Sequence, residues 1–261
     1  MNIEARLAIR DESVQSLVRG IGVIRSFDAG NRRQTITDVA ARTGLTRAAA
    51  RRFLITLCDV GLARTDGKFY ELTPAILELA QSYVSSASEL EVVQDVLRGL
   101  SQEFDESASA AMLDGTDIIY VARAPARHRI MTIGLGIGTR LPAHATSMGQ
   151  ALLSILTPRE LEIYFSAADL KPLTVYTLTT RIALRRRLEE VRESGYVLVN
   201  EELEIGLRSI AAPVRNPNSR SNIAINISAQ AARVSADEMV DSFLPAIRRA
   251  VRAVELAMDS R

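Results

Sequence analysis

Apolar residues at Val14, Leu17, Val18, Ile21, Val23, Ile24 and Phe27 recur at helical spacing and stop near Gly30, which predicts a first helix. From Ile36 to Leu57 two short helical patterns flank Gly44. Thr37 precedes Asp38 as an N-cap, and Gly44 supplies the left-handed geometry that ends one helix and turns the chain toward the next. Thr46 caps the second helix, where Ala50, Phe53, Leu54 and Leu57 fall at i, i+3, i+4 and i+7 and form one buried stripe. Arg47, Ala48 and Arg51 then point outward. Gly61 stops this helix, Leu62 to Thr65 reads as a strand, Asp66-Gly67 as a type I′ turn, and Lys68 to Leu72 as the return strand.

The pattern then changes. Thr73-Pro74 opens a helix carrying Ile76, Leu77, Leu79, Ala80 and Tyr83, which runs toward the polar stretch Ser85 to Ser88. A capping box at Ser88 and Glu91 opens a helix through about Phe104. Residues 109–113 and 118–123 alternate as strands joined by Asp114-Gly115, and 130–135 reads as a third antiparallel strand. Helices are expected from Ser147, from the Thr157-Pro158-Arg159-Glu160 cap, and over 182–193 before Gly195. Strands follow at 196–200, 209–214 and 223–227, and a capping box at Ser235 and Glu238 starts a last helix to about Met258. The expected fold is α+β: a winged helix-turn-helix domain at 13–73, a linker helix at 74–87, and a domain at 88–261 around a mostly antiparallel sheet.

Charge sharpens the first of these domains. The chain has 261 residues and a formal charge of +1, but residues 1–75 hold twelve Lys/Arg against eight Asp/Glu, an excess of +4 that leaves −3 for the rest. Helix, turn, basic helix and hairpin in that order fit a major-groove reader, whereas a basic amphipathic helix alone is more often a solvated face. Arg47 and Arg51 are the expected base or phosphate readers, and Ala48 can meet a thymine methyl. Arg52 faces sideways, toward phosphate or an intradomain ion pair. Thr46, Ser16 and Lys68 are further backbone contacts.

Several blocks carry a resemblance. Val14 to Leu17, Thr37 to Leu45, Arg51 to Leu57, Leu141 to Leu153 and Glu201 to Val214, in that order and spacing, resemble the IclR family of bacterial transcriptional regulators over nearly the whole chain. Leu45 to Leu54 and Thr139 to Gly149 are similar to the branch that controls aromatic acid catabolism through protocatechuate and β-ketoadipate. The resemblance implies a homodimer or homotetramer on double-stranded operator DNA, with a GAF-like domain that binds a small carboxylate. It implies effector contacts at Ser147, Met148, Ser209, Asn226 and Ser228, with Arg140, His144 and Arg208 as nearby cations or donors. The plainer alternative makes Met148 core and pairs Arg208 with Glu201, Glu202 or Glu204.

Other chemistries find little support. Gly134-Leu-Gly-Ile-Gly138 lacks phosphate-loop spacing, no Gly-x-Ser-x-Gly elbow occurs, and His128 and His144 do not stand at metal-ligand spacing with Cys58. No enzyme activity, metal or cofactor is expected, and the alternatives to an effector-controlled regulator are a small-molecule-binding enzyme or a degenerate sensor with only a dimerisation role. A sole cysteine, no membrane-length apolar run and no signal-peptide layout point to the cytoplasm.

Overall fold

The computed structural model describes residues 13–28, 30–86, 89–126, 135–215 and 222–259, which divide into two compact units at about Ser86. In the first, α1 (Gln15–Arg25), α2 (Ile36–Thr43) and α3 (Arg47–Asp59) enclose a small core of Val23, Val39, Ala50, Leu54, Leu57 and Tyr70. β1 (Ala63–Thr65) and β2 (Tyr70–Leu72) pair antiparallel as the wing, and α4 (Ile76–Ser86) follows.

Two local expectations need correction. The cap of α2 is Thr35 and not Thr37: its hydroxyl accepts from the Asp38 N–H at 3.3 Å while Asp38 accepts from the Thr35 N–H at 2.9 Å. The reciprocal pair requires a three-residue spacing, which Thr35 has and Thr37 lacks. The wing turn is not type I′. Thr65 pairs with Tyr70, only Gly67 has positive φ, and Asp66 accepts from the Lys68 and Phe69 N–H groups at 3.0 and 2.8 Å. A carboxylate organises this loop, in which the Asp66 N–H donates to the Phe69 carbonyl across Gly67 and Lys68 and Gly67 is the sole left-handed residue, whereas a type I′ turn would need two.

The second unit is a six-stranded antiparallel sheet in the order β5-β4-β3-β8-β7-β6. Its strands are β3 (Ser107–Asp114), β4 (Asp117–Ala124), β5 (Arg140–Pro142), β6 (Val197–Asn200), β7 (Leu207–Val214) and β8 (Ile223–Gln230). The expected strand at 130–135 and the capping box at Ser88 lie wholly or partly outside the described residues. The strand beside β4 is the short edge strand β5, where Pro142 removes no needed donor. Alternation sends Ala108, Ala110, Ile210, Ile225 and Ile227 to one face, against α5 (Glu89–Phe104) and the C-terminal helix. That helix, α9, runs from Ala236–Glu238 through a π segment at Met239–Phe243 into Leu244–Asp259. The other face meets α6 (Ser147–Ser154), α7 (Pro158–Ala167) and α8 (Arg181–Ser194) through Ile118, Tyr120, Val197, Val199, Ala211 and Ala224. The helices do not cover this second face completely, and its uncovered part carries polar side chains.

Candidate nucleic-acid interface and ligand cleft

Helix α3 is pinned by its buried stripe and by its cap, since the Thr46 hydroxyl accepts from the Ala49 N–H at 3.2 Å. What remains faces water: Arg47, Ala48, Arg51 and Arg52 are all exposed. Among the described residues, the guanidinium groups of Arg47, Arg51 and Arg52 have no hydrogen-bond or ion-pair partner. Three other arginines of this unit are committed. Arg33 pairs with Asp66 at 2.6 Å, Arg42 with Asp28 at 2.5 Å and Arg64 with Glu71 at 2.8 Å. The Asp66 carboxyl is held below its ordinary range first by the Phe69 and Lys68 N–H groups and then by Arg33.

Arg52, Ala49, Phe53 and Thr56 of α3 border a groove with Ser16 and Arg19 of α1. The structure therefore brings Ser16 and Arg52 together, as a phosphate contact requires. It adds Arg19, which sequence reasoning missed although it lies one helical turn beyond Ser16. Lys68 is exposed on the wing loop, its amino group 5.2 Å from the centre of the Phe69 ring. The three positive sites, α3, the groove and the wing, lie on one small unit and can act on one polyanion.

The polar part of the sheet forms a cleft with α6. Its wall consists of Ser147 and Met148 from α6, Ser209 from β7, and Asn226 and Ser228 from β8, with Tyr120, Thr146, Val199, Leu203 and Leu207 around them. The unfilled space is ≈ 340 Å³ with its mouth included. Its interior proper has room for only about one ordered water. Ser209 donates to the Ser147 hydroxyl at 2.8 Å, and Asn226 Nδ2 donates to Ser147 and Ser228 at 3.4 and 3.0 Å. Asn226 is 4% exposed, and its Oδ1 is left without a partner. A buried acceptor in that condition costs roughly 1–3 kcal/mol until something donates to it.

Two features position this wall. The Thr146 hydroxyl accepts from the Gly149 N–H at 3.2 Å and starts α6. A Cβ at Gly149 would stand 2.1 Å from the Ala143 carbonyl oxygen, so the absence of a side chain lets α6 close on the preceding turn. Behind the cleft, Gln150 Nε2 donates to Glu202 at 2.7 Å and to the His144 carbonyl at 2.8 Å. Arg187 donates to Glu202 at 3.1 Å. Thr174 and Thr177 each donate at 2.6 Å, to the Glu201 and Glu202 carbonyls respectively. This network ties down the loop that carries Leu203 into the cleft. Burial raises the Glu202 carboxyl above its ordinary value, and Arg187 only partly offsets that.

The three cationic candidates stand elsewhere. Arg140 is held by Asp114 and, at 3.4 Å, by Asp117 on the edge of the sheet. Arg208 donates to Asn200 at 2.8 Å and to the Ala231 and Val234 carbonyls, so it is neither a clamp in the cleft nor paired with the nearby glutamates. His144 is 2% exposed with Nε2 3.0 Å from the Lys171 carbonyl oxygen, and desolvation lowers its pKa toward the neutral form. None of the three lines the cleft. Arg208 was misleading because it precedes Ser209 on β7 and neighbours along a strand face opposite sides, while Arg140 and His144 are held by Asp114 and Asp117 and by the Lys171 carbonyl. Met148 is both core and cleft wall.

Comparison with known proteins decides the family. The model of the IclR helix-turn-helix domain matches residues 16–67, and that of the bacterial transcriptional regulator IclR C-terminal region matches residues 81–256. The chain belongs to the IclR family. It is 39% identical over 237 residues to the Pca regulon regulatory protein of Pseudomonas putida, covering 91% of this chain and 81% of that protein. A transcriptional regulator from Rhodococcus sp. RHA1 has a similar structure, with TM-score 0.83, 46% identity, and coverage of 95% of this chain and 99% of that one. The inducer-binding domain of a double mutant of the PobR transcription factor from Acinetobacter, in complex with 3-hydroxybenzoic acid, matches with TM-score 0.59 and 34% identity over 63% of this chain and 96% of that one. As an IclR protein the chain is a DNA-binding transcriptional regulator, not an enzyme. No helix among the described residues is long and apolar enough to cross a membrane, and no group of three or more His, Cys, Asp or Glu residues among them could hold a metal.

Proposed function

We propose that this IclR regulator reads a palindromic operator with α3 and that a small carboxylate bound in the cleft controls the reading. Arg47 and Arg51 serve as base or phosphate readers, Ala48 meets a thymine methyl, and Ser16, Thr46, Arg52 and Lys68 contact the backbone. The effector is an aromatic acid or a β-ketoadipate-pathway intermediate, held against Ser147, Met148, Ser209, Asn226 and Ser228. The protein acts in the cytoplasm as a homodimer or homotetramer, with 13–73 as DNA-binding domain, 74–87 as linker helix and 88–261 as effector domain.

One observation carries this reading. Among the described residues of this unit Arg33, Arg42 and Arg64 are held by carboxylates, whereas three arginines on the helix that the fold presents outward are left bare. The relatives support the effector class, since one is a Pca regulon regulator and another was solved with a hydroxybenzoic acid. An effector shifts operator affinity only if it binds free and operator-bound protein unequally.

The test is selection of bound fragments from sheared genomic DNA of the source organism. Anisotropy titrations of a selected fragment follow, with and without 4-hydroxybenzoate, protocatechuate or β-ketoadipate. We expect one shared inverted repeat and a change of at least several-fold in its affinity with one of the acids. No enrichment over random DNA would overturn the operator reading, and an affinity indifferent to every acid would overturn the effector reading.

A further inference from the structure

The cleft as outlined contains no cation, although an acid needs one or an equivalent set of donors. The register of the sheet supplies it. Ser109 on β3 stands directly opposite Asn226 on β8 and directly opposite Arg123 on β4. Residues opposite one another in an antiparallel ladder share a face. Arg123 therefore lies on the cleft face, two strands from Asn226, or about 10 Å between backbones at the usual strand spacing. In the next rung Ser107 faces Ser228, which faces Ser209, so the polar strip is continuous.

A bulge makes this possible. The β3–β4 pairing passes from Ala110↔Ala122 to Ala111↔Tyr120, leaving Val121 as an extra residue. Without it Tyr120, a cleft residue, and Arg123 would stand on opposite faces.

Arg123 is half-buried and poorly engaged. It donates to the Ser107 hydroxyl at 3.4 Å, and among the described residues no carboxylate pairs with it. Burial lowers its pKa, the mark of a cation that has lost water without gaining a counter-charge. At the other end of the strip, the Ser147 oxygen already accepts from Ser209 and Asn226, so its own proton is free beside the unpartnered Asn226 Oδ1. A free donor beside a free acceptor fits a hydroxyl, which can accept from one and donate to the other. Turning the Asn226 amide over would exchange the end left unpartnered, and a hydroxyl would satisfy either end. Ser109 of β3 stands between the two stations, while the apolar part of the cleft wall, Val199, Leu203 and Leu207, lies on the β7–β6 side of Asn226.

We propose that Arg123, just outside the cleft wall, holds the carboxylate of an aromatic hydroxy acid whose ring hydroxyl is held by Asn226 and Ser147, the cleft widening beyond its present one-water interior to admit the ring. The proposal rests on the effector reading above and adds the residue that recognises the acid group. Arginine suits it because its planar fork meets both carboxylate oxygens at once.

The experiment is calorimetric titration of the full chain with 4-hydroxybenzoate, with its neutral isostere 4-hydroxybenzamide, and with benzoate. The native protein, Arg123→Gln, Arg123→Lys and Asn226→Leu are compared, with melting temperature and operator affinity as folding controls. In Arg123→Gln the preference for the acid over the amide is expected to fall roughly 10- to 100-fold, with Arg123→Lys intermediate. In Asn226→Leu the preference for 4-hydroxybenzoate over benzoate is expected to fall instead. An unchanged acid-to-amide ratio in a folded Arg123→Gln would overturn the proposal while leaving the effector reading intact. If that variant fails to fold, an unchanged ratio in Arg123→Lys overturns it equally. If the native chain binds none of the three compounds, this proposal fails together with the aromatic-acid reading.

Discussion

Helices α3 and α8 are both rich in arginine, and the structure uses them in opposite ways. On α8, Arg181 donates to the Phe165 carbonyl and Arg192 to the Ser154 carbonyl. Arg185 pairs with Glu162, Arg186 with Glu190 and Arg187 with Glu202. On α3 the guanidinium groups of Arg47, Arg51 and Arg52 have no such partner among the described residues. Counting arginines on an amphipathic helix therefore does not identify a DNA reader. The distinguishing feature is whether the fold also supplies carboxylates and carbonyls to meet them. Unpaired surface cations gain little for folding, whereas they release counterions when phosphates arrive.

The comparison breaks most visibly at its most buried pair. Arg187→Met leaves the Glu202 carboxylate, 4% exposed, with Gln150 as its remaining side-chain partner. We expect a loss of about 3 kcal/mol in stability of the C-terminal unit, because removing one partner strands the other charge. Calorimetric melting measures it, and an unchanged midpoint would mean that Glu202 is not held as a buried ion. Gly149→Ala should cost about 1–3 kcal/mol, since the new methyl meets the backbone of Ala143 and must push α6 away. The same shift moves Ser147, so acid binding should weaken along with the melting temperature. Normal acid affinity in that variant would separate α6 from the binding wall.

Smaller effects sharpen the contrast between the two helices. Arg51→Ala is expected to weaken operator binding by about 1–3 kcal/mol, mainly on the true site. Its stability should stay within about 0.5 kcal/mol of native. Arg186→Ala on α8 should leave both quantities near native, because its pair with Glu190 is exposed. Equal losses of operator affinity from the two substitutions would erase the distinction drawn here.

Much of this was legible in the chain before any coordinates. The stripe Ala50, Leu54 and Leu57 is strictly periodic, and periodicity is the signal that burial writes most directly into sequence. Ser147, Ser209, Asn226 and Ser228 were named through family resemblance and do meet in one wall. Three things were hidden for physical reasons. Thr35 and Thr37 both precede Asp38, and only the reciprocal bond with its fixed spacing separates them. Arg140 and Arg208 sit close in the chain to cleft residues yet spend their charge or donors elsewhere, which depends on partners brought from other strands. Arg123 was concealed by the bulge at Val121, because simple alternation from Tyr120 sends it to the wrong face. Bulges depend on pairing between strands, and a linear reading of one strand does not show them.

The central claim is that the bare arginines of α3 engage DNA. Its most direct test is the salt dependence of binding to a selected operator fragment by the native chain and by the triple variant Arg47→Ala, Arg51→Ala, Arg52→Ala. The account predicts an unchanged melting temperature, much weaker binding, and a slope of log affinity against log salt shallower by about one for each phosphate contact removed. A folded triple variant with native affinity and native slope would contradict it.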